Sequence, residues 1–132
     1  EAVSVARLIQ PKAEAEVAFV LARDLTGPGV TAADVLRATD FVLPCFEIVD
    51  SRIKDWKIRI QDTVADNASC GVFSLGGVRR SPRELDLALA GMVLEKNGEI
   101  VSTSTGASVQ GSPVNAVAWL ANTLGRLGIS LK

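Results

Sequence analysis

Glu14 and Glu16 stand one residue apart in the stretch Pro11–Leu21, and Glu47 interrupts the apolar run Phe41–Val49. In an extended strand, residues i and i+2 share a face, so Glu14 and Glu16 present two carboxylates side by side. Carboxylates held that close repel one another and do not all stay ionised in a dry site without a cation. The chain has no histidine, so a metal held here is bound by oxygen, which points to magnesium or manganese rather than zinc. Plainer readings stay open. Alternating glutamates are commonplace on the wet face of an antiparallel sheet. Glu47, set among Cys45, Phe46, Ile48 and Val49, is costly to bury alone, and an ion pair to Arg52 or Lys57 would satisfy it.

The elements that must position these groups follow from local signals. Pro11–Leu21 reads as a strand, and Thr26-Gly-Pro-Gly29 as a turn. Thr31 with Asp34 three residues on suits a helix start, and the helix runs to about Thr39. Phe41–Val49 reads as a buried strand in which Pro44 implies an edge position or a bulge. The polar stretch Asp50–Asn67 reads as loop plus short helix, and Gly71–Gly77 as a short strand. Asn97-Gly98 joins two further strands, Leu87–Lys96 and Glu99–Thr105, through a tight hairpin turn that needs positive φ. Ser112-Pro113 opens a final helix with Val117, Leu120, Ala121 and Leu124 at helical spacing, and Gly128 stops it. The reading is a single α+β domain over residues 1–132, mainly β.

Composition narrows the function. Of 132 residues, 48% are hydrophobic, which suits a globular domain, and the net charge of −1 offers no basic stripe for nucleic acid. No apolar run reaches the length of a membrane span, and the opening Glu-Ala-Val-Ser-Val-Ala-Arg lacks the basic-then-apolar pattern of a signal peptide. Cys45 and Cys70 lie in apolar contexts and read as buried, reduced thiols of a cytoplasmic protein.

Taken together, Pro11–Leu21 with its Glu-x-Glu, Ala38-Thr-Asp40 and Glu47-Ile-Val-Asp50-Ser-Arg52 resemble the fumarylacetoacetate hydrolase superfamily. Asp55-Trp56-Lys57-Ile58, Asp62–Gly71, Glu95–Gly98 and Gly111–Leu120 are similar to its 2-hydroxypenta-2,4-dienoate (2-keto-4-pentenoate) hydratase branch. The resemblance covers nearly all of the chain. It implies the mixed sheet or roll of that superfamily's C-terminal domain, with short flanking helices. It also implies a divalent ion, Mg2+ or Mn2+, on Glu14, Glu16 and Glu47. Ser69, with Asn67 beside it, falls near the pyruvoyl end of the substrate. The family's lysine and acid belong to a segment upstream of Glu1, so the chain reads as the central part of such an enzyme, and the fragment alone is expected to be inactive.

The implied reaction adds water to 2-hydroxypenta-2,4-dienoate, giving 4-hydroxy-2-oxopentanoate in the meta-cleavage catabolism of aromatic or steroid compounds. The ion would polarise the carbonyl as a Lewis acid, and each proton move needs a positioned acid or base. The expected partner is a small 2-oxo or 2-hydroxy-dienoic acid, with neither nucleic acid nor membrane. A homo-oligomer, in association with other meta-cleavage enzymes, is the implied assembly. Three rivals stand beside this reading: the 4-oxalocrotonate (2-oxo-3-hexenedioate) decarboxylase of the same superfamily, an acylpyruvate hydrolase, and a truncated scaffold that holds an ion without turnover. The residues by themselves equally allow Ser69 to be a cap, Asp66 and Asn67 to be turn residues, and Trp56 to be packing. Asp50 and Arg52 could pair with each other, shape the loop beneath the metal or meet the substrate.

Overall fold

A computed structural model describes residues 2–132, and strand (33%) narrowly exceeds helix (29%). The α+β, mainly β class is therefore what the chain adopts. β1 (Lys12–Leu21), β2 (Thr39–Val49) and β3 (Cys70–Leu75) form a three-stranded sheet in that spatial order. β3 runs antiparallel to β2, with Cys45 opposite Leu75 and Glu47 opposite Phe73, and the register slips between Ile48 and Val49.

The edge position expected for Pro44 is not found, because β2 is the central strand. Pro44 lies one residue before the stretch paired with β3 and offers only its carbonyl, which accepts from the Gly76 N–H at 2.8 Å. Its missing N–H breaks no bond to β3, and the register slip falls four residues further on. Nor is the strand uniformly buried. Val42, Leu43 and Val49 are buried, whereas Phe46 is 41% exposed.

The chain forms two compact units: one comprises the residues through Ala18 together with Pro44–Gly77, and the other Phe19–Leu43 with Val78–Lys132. In the first unit, the expected loop plus short helix is a 3-10 turn at Lys54–Trp56, then α2 (Ile60–Ala65), then a second turn at Asn67–Ser69.

The second unit holds α1 (Ala32–Ala38), the hairpin β4 (Gly91–Lys96) and β5 (Glu99–Thr105), and α3 (Pro113–Gly125). Thr31 and Asp34 close a reciprocal capping box on α1. Asn97 and Gly98 take φ of 55° and 86°, as the tight hairpin turn requires. β4 starts at Gly91 rather than Leu87. The Asp86 carboxylate accepts from the N–H groups of Ala88 and Leu89 at 3.0 and 3.2 Å, and this turn buries Leu87 instead of extending it.

Ser112 caps α3 through the Val114 N–H. The helix buries Pro113, Val114, Ala118 and Ala121, not the Leu120 of the expected stripe, which is 41% exposed. The Gly27 backbone lies so close to Ala121 and Gly125 that a Cβ on either glycine would collide, so only small residues fit on that face. Gly128, at φ 73°, ends the segment, and the Ile129 N–H returns to the Leu124 carbonyl at 3.0 Å. Among the described residues no helix is long and apolar enough to cross a membrane.

Candidate metal and substrate site

The two-residue period of β1 puts Glu14 and Glu16 on one face, both exposed, and the half-buried Glu47 stands on the neighbouring strand β2. The Glu16 carboxyl is pushed above the usual carboxylate range, first by burial and then by the charges of Glu14 and Glu47. The Cys45 thiol is raised as well, by burial and then by Glu16 and Glu47.

The two cations that could have neutralised Glu47 are engaged elsewhere. Arg52 pairs with Asp66 at 3.4 Å, and Lys57 lies 3.9 Å from Asp55. Among the described residues, no ion pair or hydrogen bond engages the carboxylates of Glu14, Glu16 or Glu47. The structural ion pair for Glu47 is therefore absent among them. The three side chains share a neighbourhood but are not drawn to chelating distance: among the described residues no group of three acidic, cysteine or histidine side chains could already grip an ion. Like charges with no cation between them splay apart. An all-oxygen set, uncompensated and mutually repelling, fits a hard divalent ion.

Ser69 lies at the end of a left-handed turn. Asn67, Ala68 and Ser69 have φ of 48°, 57° and 57°, and each such non-glycine residue costs about 1–2 kcal/mol. Strain of this kind gathers at functional sites. The turn is held by Ser69 N–H to the Asp66 carbonyl at 2.9 Å and by the Asp50 N–H to the Ser69 carbonyl at 2.7 Å. Ser69 is 1% exposed, and its Oγ is a buried polar atom with no hydrogen-bond partner among the described residues. It caps nothing, and an unsatisfied buried hydroxyl calls for an explanation. Asn67 is exposed beside it. Asp66 is structural, through Arg52 and the turn.

Trp56 packs. Its indole N–H donates to the Gln10 carbonyl at 2.9 Å, and the Lys12 ammonium sits 4.1 Å above the ring. Cys45 and Cys70 are free thiols, half-buried rather than buried, because strand alternation turns Cys45 toward the carboxylate face.

Asp50 does not direct its carboxylate to Arg52. The buried carboxylate instead accepts from the Ile9 N–H at 3.0 and 2.8 Å and from the Gln10 N–H at 2.7 Å. An acid closing an apolar strand was a visible signal, but its partners lie 41 and 40 residues away. A cleft of about 530 Å³ opens beside this contact, lined by Arg7, Asp50, Arg52, Phe73 and neighbours. None of the three glutamates lines it, nor does Ser69, so the cleft is not the site they mark.

The fumarylacetoacetate (FAA) hydrolase C-terminal family matches residues 2–127. The chain belongs to that family. Among curated members, a 2-hydroxypent-2,4-dienoate hydratase of Pseudomonas putida is 67% identical over 94% of this chain and 56% of its own length. A 2-hydroxyhexa-2,4-dienoate hydratase of Comamonas testosteroni is 64% identical over 96% of this chain and 48% of its own. The chain thus spans about half the length of the curated relatives it matches. The solved 4-oxalocrotonate decarboxylase of Pseudomonas putida G7, complexed with magnesium and adipate, superposes with a TM-score of 0.90 at 44% identity. That match covers 96% of this chain and 48% of the other. The same enzyme complexed with calcium and acetate gives a TM-score of 0.87.

Proposed function

We propose that this chain forms the metal-binding half of a hydro-lyase that adds water to 2-hydroxypenta-2,4-dienoate, yielding 4-hydroxy-2-oxopentanoate. The observation that carries the reading is the trio Glu14, Glu16 and Glu47, uncompensated by any cation among the described residues, in a chain whose 67% and 64% identical relatives are dienoate hydratases. The ion is magnesium or manganese: the superposable decarboxylase is complexed with magnesium in one structure and calcium in another, and manganese shares magnesium's oxygen preference. The bound ion supplies Lewis-acid polarisation of the substrate's 2-oxo group.

The chain's own contributions are binding and placement. Glu14, Glu16 and Glu47 hold the cation through oxygen. Ser69 offers an unspent hydroxyl to the carboxylate or 2-oxo end of the substrate, and Asn67 an exposed amide nearby. We place the enzyme in the cytoplasm of an aromatic-degrading cell, as a homo-oligomer acting beside other meta-cleavage enzymes.

Joined to its flanking segments and supplied with Mg2+, the purified protein should consume the dienol, seen as loss of its conjugated absorbance, and chelation should stop it. Metal binding without turnover would favour the scaffold reading. The second reading, decarboxylation of 2-oxo-3-hexenedioate, draws on the 0.90 superposition with the decarboxylase. A decarboxylase must house a second carboxylate at the far end of its substrate. Release of CO2 from the dicarboxylate, with no hydration of the dienol, would replace the first reading by the second.

A further inference from the structure

Asp50 ties together the stretches that carry the site. Its carboxylate receives both Ile9 and Gln10 backbone N–H groups, two residues before β1 begins at Lys12. Its own N–H donates to the Ser69 carbonyl, and it stands directly after β2, three residues beyond Glu47. Gln10 reinforces the junction: its side-chain amide donates to the carbonyls of Ser51 at 2.8 Å and Ile53 at 2.5 Å, and its carbonyl receives the Trp56 indole N–H. Added bulk at Gly71 would strike the Ile48 carbonyl and the Asp50 Cβ, so the base of β3 closes over the same point.

We propose that Asp50 is a positioning residue which fixes the register of β1 against β2, and so sets Glu14 and Glu16 against Glu47 for metal binding. The inference rests on the metal reading above. The physical reason is the strand period: a slip of one residue would turn both glutamates to the opposite face of the sheet. Bonds from two consecutive backbone N–H groups to one buried carboxylate oppose such a slip, because slipping would leave buried donors and acceptors unpaired. Asparagine could not replace it, since one of its two terminal atoms is a donor and would face a backbone N–H.

The test measures Mn2+ affinity by electron paramagnetic resonance, with amide hydrogen exchange, for the parent chain and for Asp50→Asn, Trp56→Phe, Glu47→Gln and Val35→Ala. Asp50→Asn should weaken Mn2+ at least tenfold and speed exchange at Ile9 and Gln10. Val35→Ala, which loosens the other unit, should leave the affinity at the parent value. Trp56→Phe removes one bond of the junction and keeps the ring beneath Lys12. It should weaken Mn2+ two- to fivefold, and it decides the matter if Asp50→Asn fails to fold. Parent affinity in Asp50→Asn, or in Trp56→Phe where that variant decides, while Glu47→Gln loses binding, overturns the positioning role and leaves the metal reading intact. A parent chain that binds no Mn2+, or a Glu47→Gln variant that binds it normally, overturns the metal reading and this inference with it.

Discussion

The two units are built on opposite physical plans. In the second, burial is mostly apolar: Leu25, Val35, Ala38, Val42, Leu43, Leu87, Val114, Ala118 and Ala121 are all at most 8% exposed, and among the described residues Thr39 is the one polar side chain buried with them. In the first, Val49 is the one apolar side chain of that kind among the described residues, and the others are Asp50, Ser51 and Ser69. The first unit also carries the left-handed turns at Asp55–Trp56 and Asn67–Ser69 and the repelling glutamates. Apolar burial is the dominant favourable term in folding, whereas buried polar groups stabilise little beyond their own desolvation. The contrast teaches that stability and the site are held by different residues, so each can be altered separately.

Breaking the apolar unit should give the largest effect. Val35 is fully buried in α1, and Val35→Ala removes two carbons from a close-packed core. A loss of about 2–3 kcal/mol is expected from the transfer and cavity terms together. Chemical denaturation would measure it, and metal affinity should not change. A destabilisation below roughly 0.5 kcal/mol would place the core elsewhere.

Breaking the other side of the comparison should do the reverse. Glu47→Gln removes one of the three carboxylates proposed to hold the ion and should weaken Mg2+ at least tenfold by calorimetry, or about 1.4 kcal/mol. Stability without metal should hold or rise, because Glu47 has no partner to lose among the described residues. Equal affinity in variant and parent would remove Glu47 from the site.

Glu16→Gln sharpens the same point through pH. The raised pKa of Glu16 means that the folded chain favours its protonated form over the ionised one. The penalty is therefore absent in acid and grows as pH rises through the carboxylate range. The variant should melt slightly above the parent at pH 7 in metal-free buffer, and the difference should vanish near pH 3. A variant that melts lower than the parent at pH 7 would show that Glu16 stabilises the sheet.

What the sequence disclosed divides along the same line. β1, α1, the β4–β5 hairpin and the start of α3 were legible because each is announced within a few residues: by alternation, by Thr31 with Asp34, by Asn97-Gly98 and by Ser112-Pro113. The misreadings each turned on a partner distant in sequence or on an unremarked turn. Pro44 is tolerated in a central strand because of where the β3 pairing begins, and α3 buries alanines because Gly27 presses on it. Leu87 reads as strand in the sequence because the turn made by Asp86 leaves no pattern there. Within the site, the Glu14–Glu16 pairing follows from period two. The bond from Asp50 to Ile9 spans 41 residues and could not be read from either end.

The smallest effect expected lies in the apolar unit, at a helix cap built on a charge. Asp34 is held at a pKa of about 2, first by the Thr31 hydroxyl, then by the Thr31 backbone N–H and then by Arg37. A carboxylate lowered in the fold contributes fully above its unfolded value near 3.9, and that contribution is lost as pH falls toward 2. The α1 cap should therefore weaken between about pH 4 and pH 2 and be unchanged from pH 5 upward. Thr31→Ala removes the largest cause, so the Asp34 carboxyl should titrate closer to its ordinary range when followed by NMR, and the lost cap should cost about 1 kcal/mol at neutral pH. Metal affinity, set in the other unit, should be indifferent to the change. An Asp34 titration that stays near 2 in Thr31→Ala would shift the credit to Arg37, whose guanidinium lies 2.5 Å from the carboxylate.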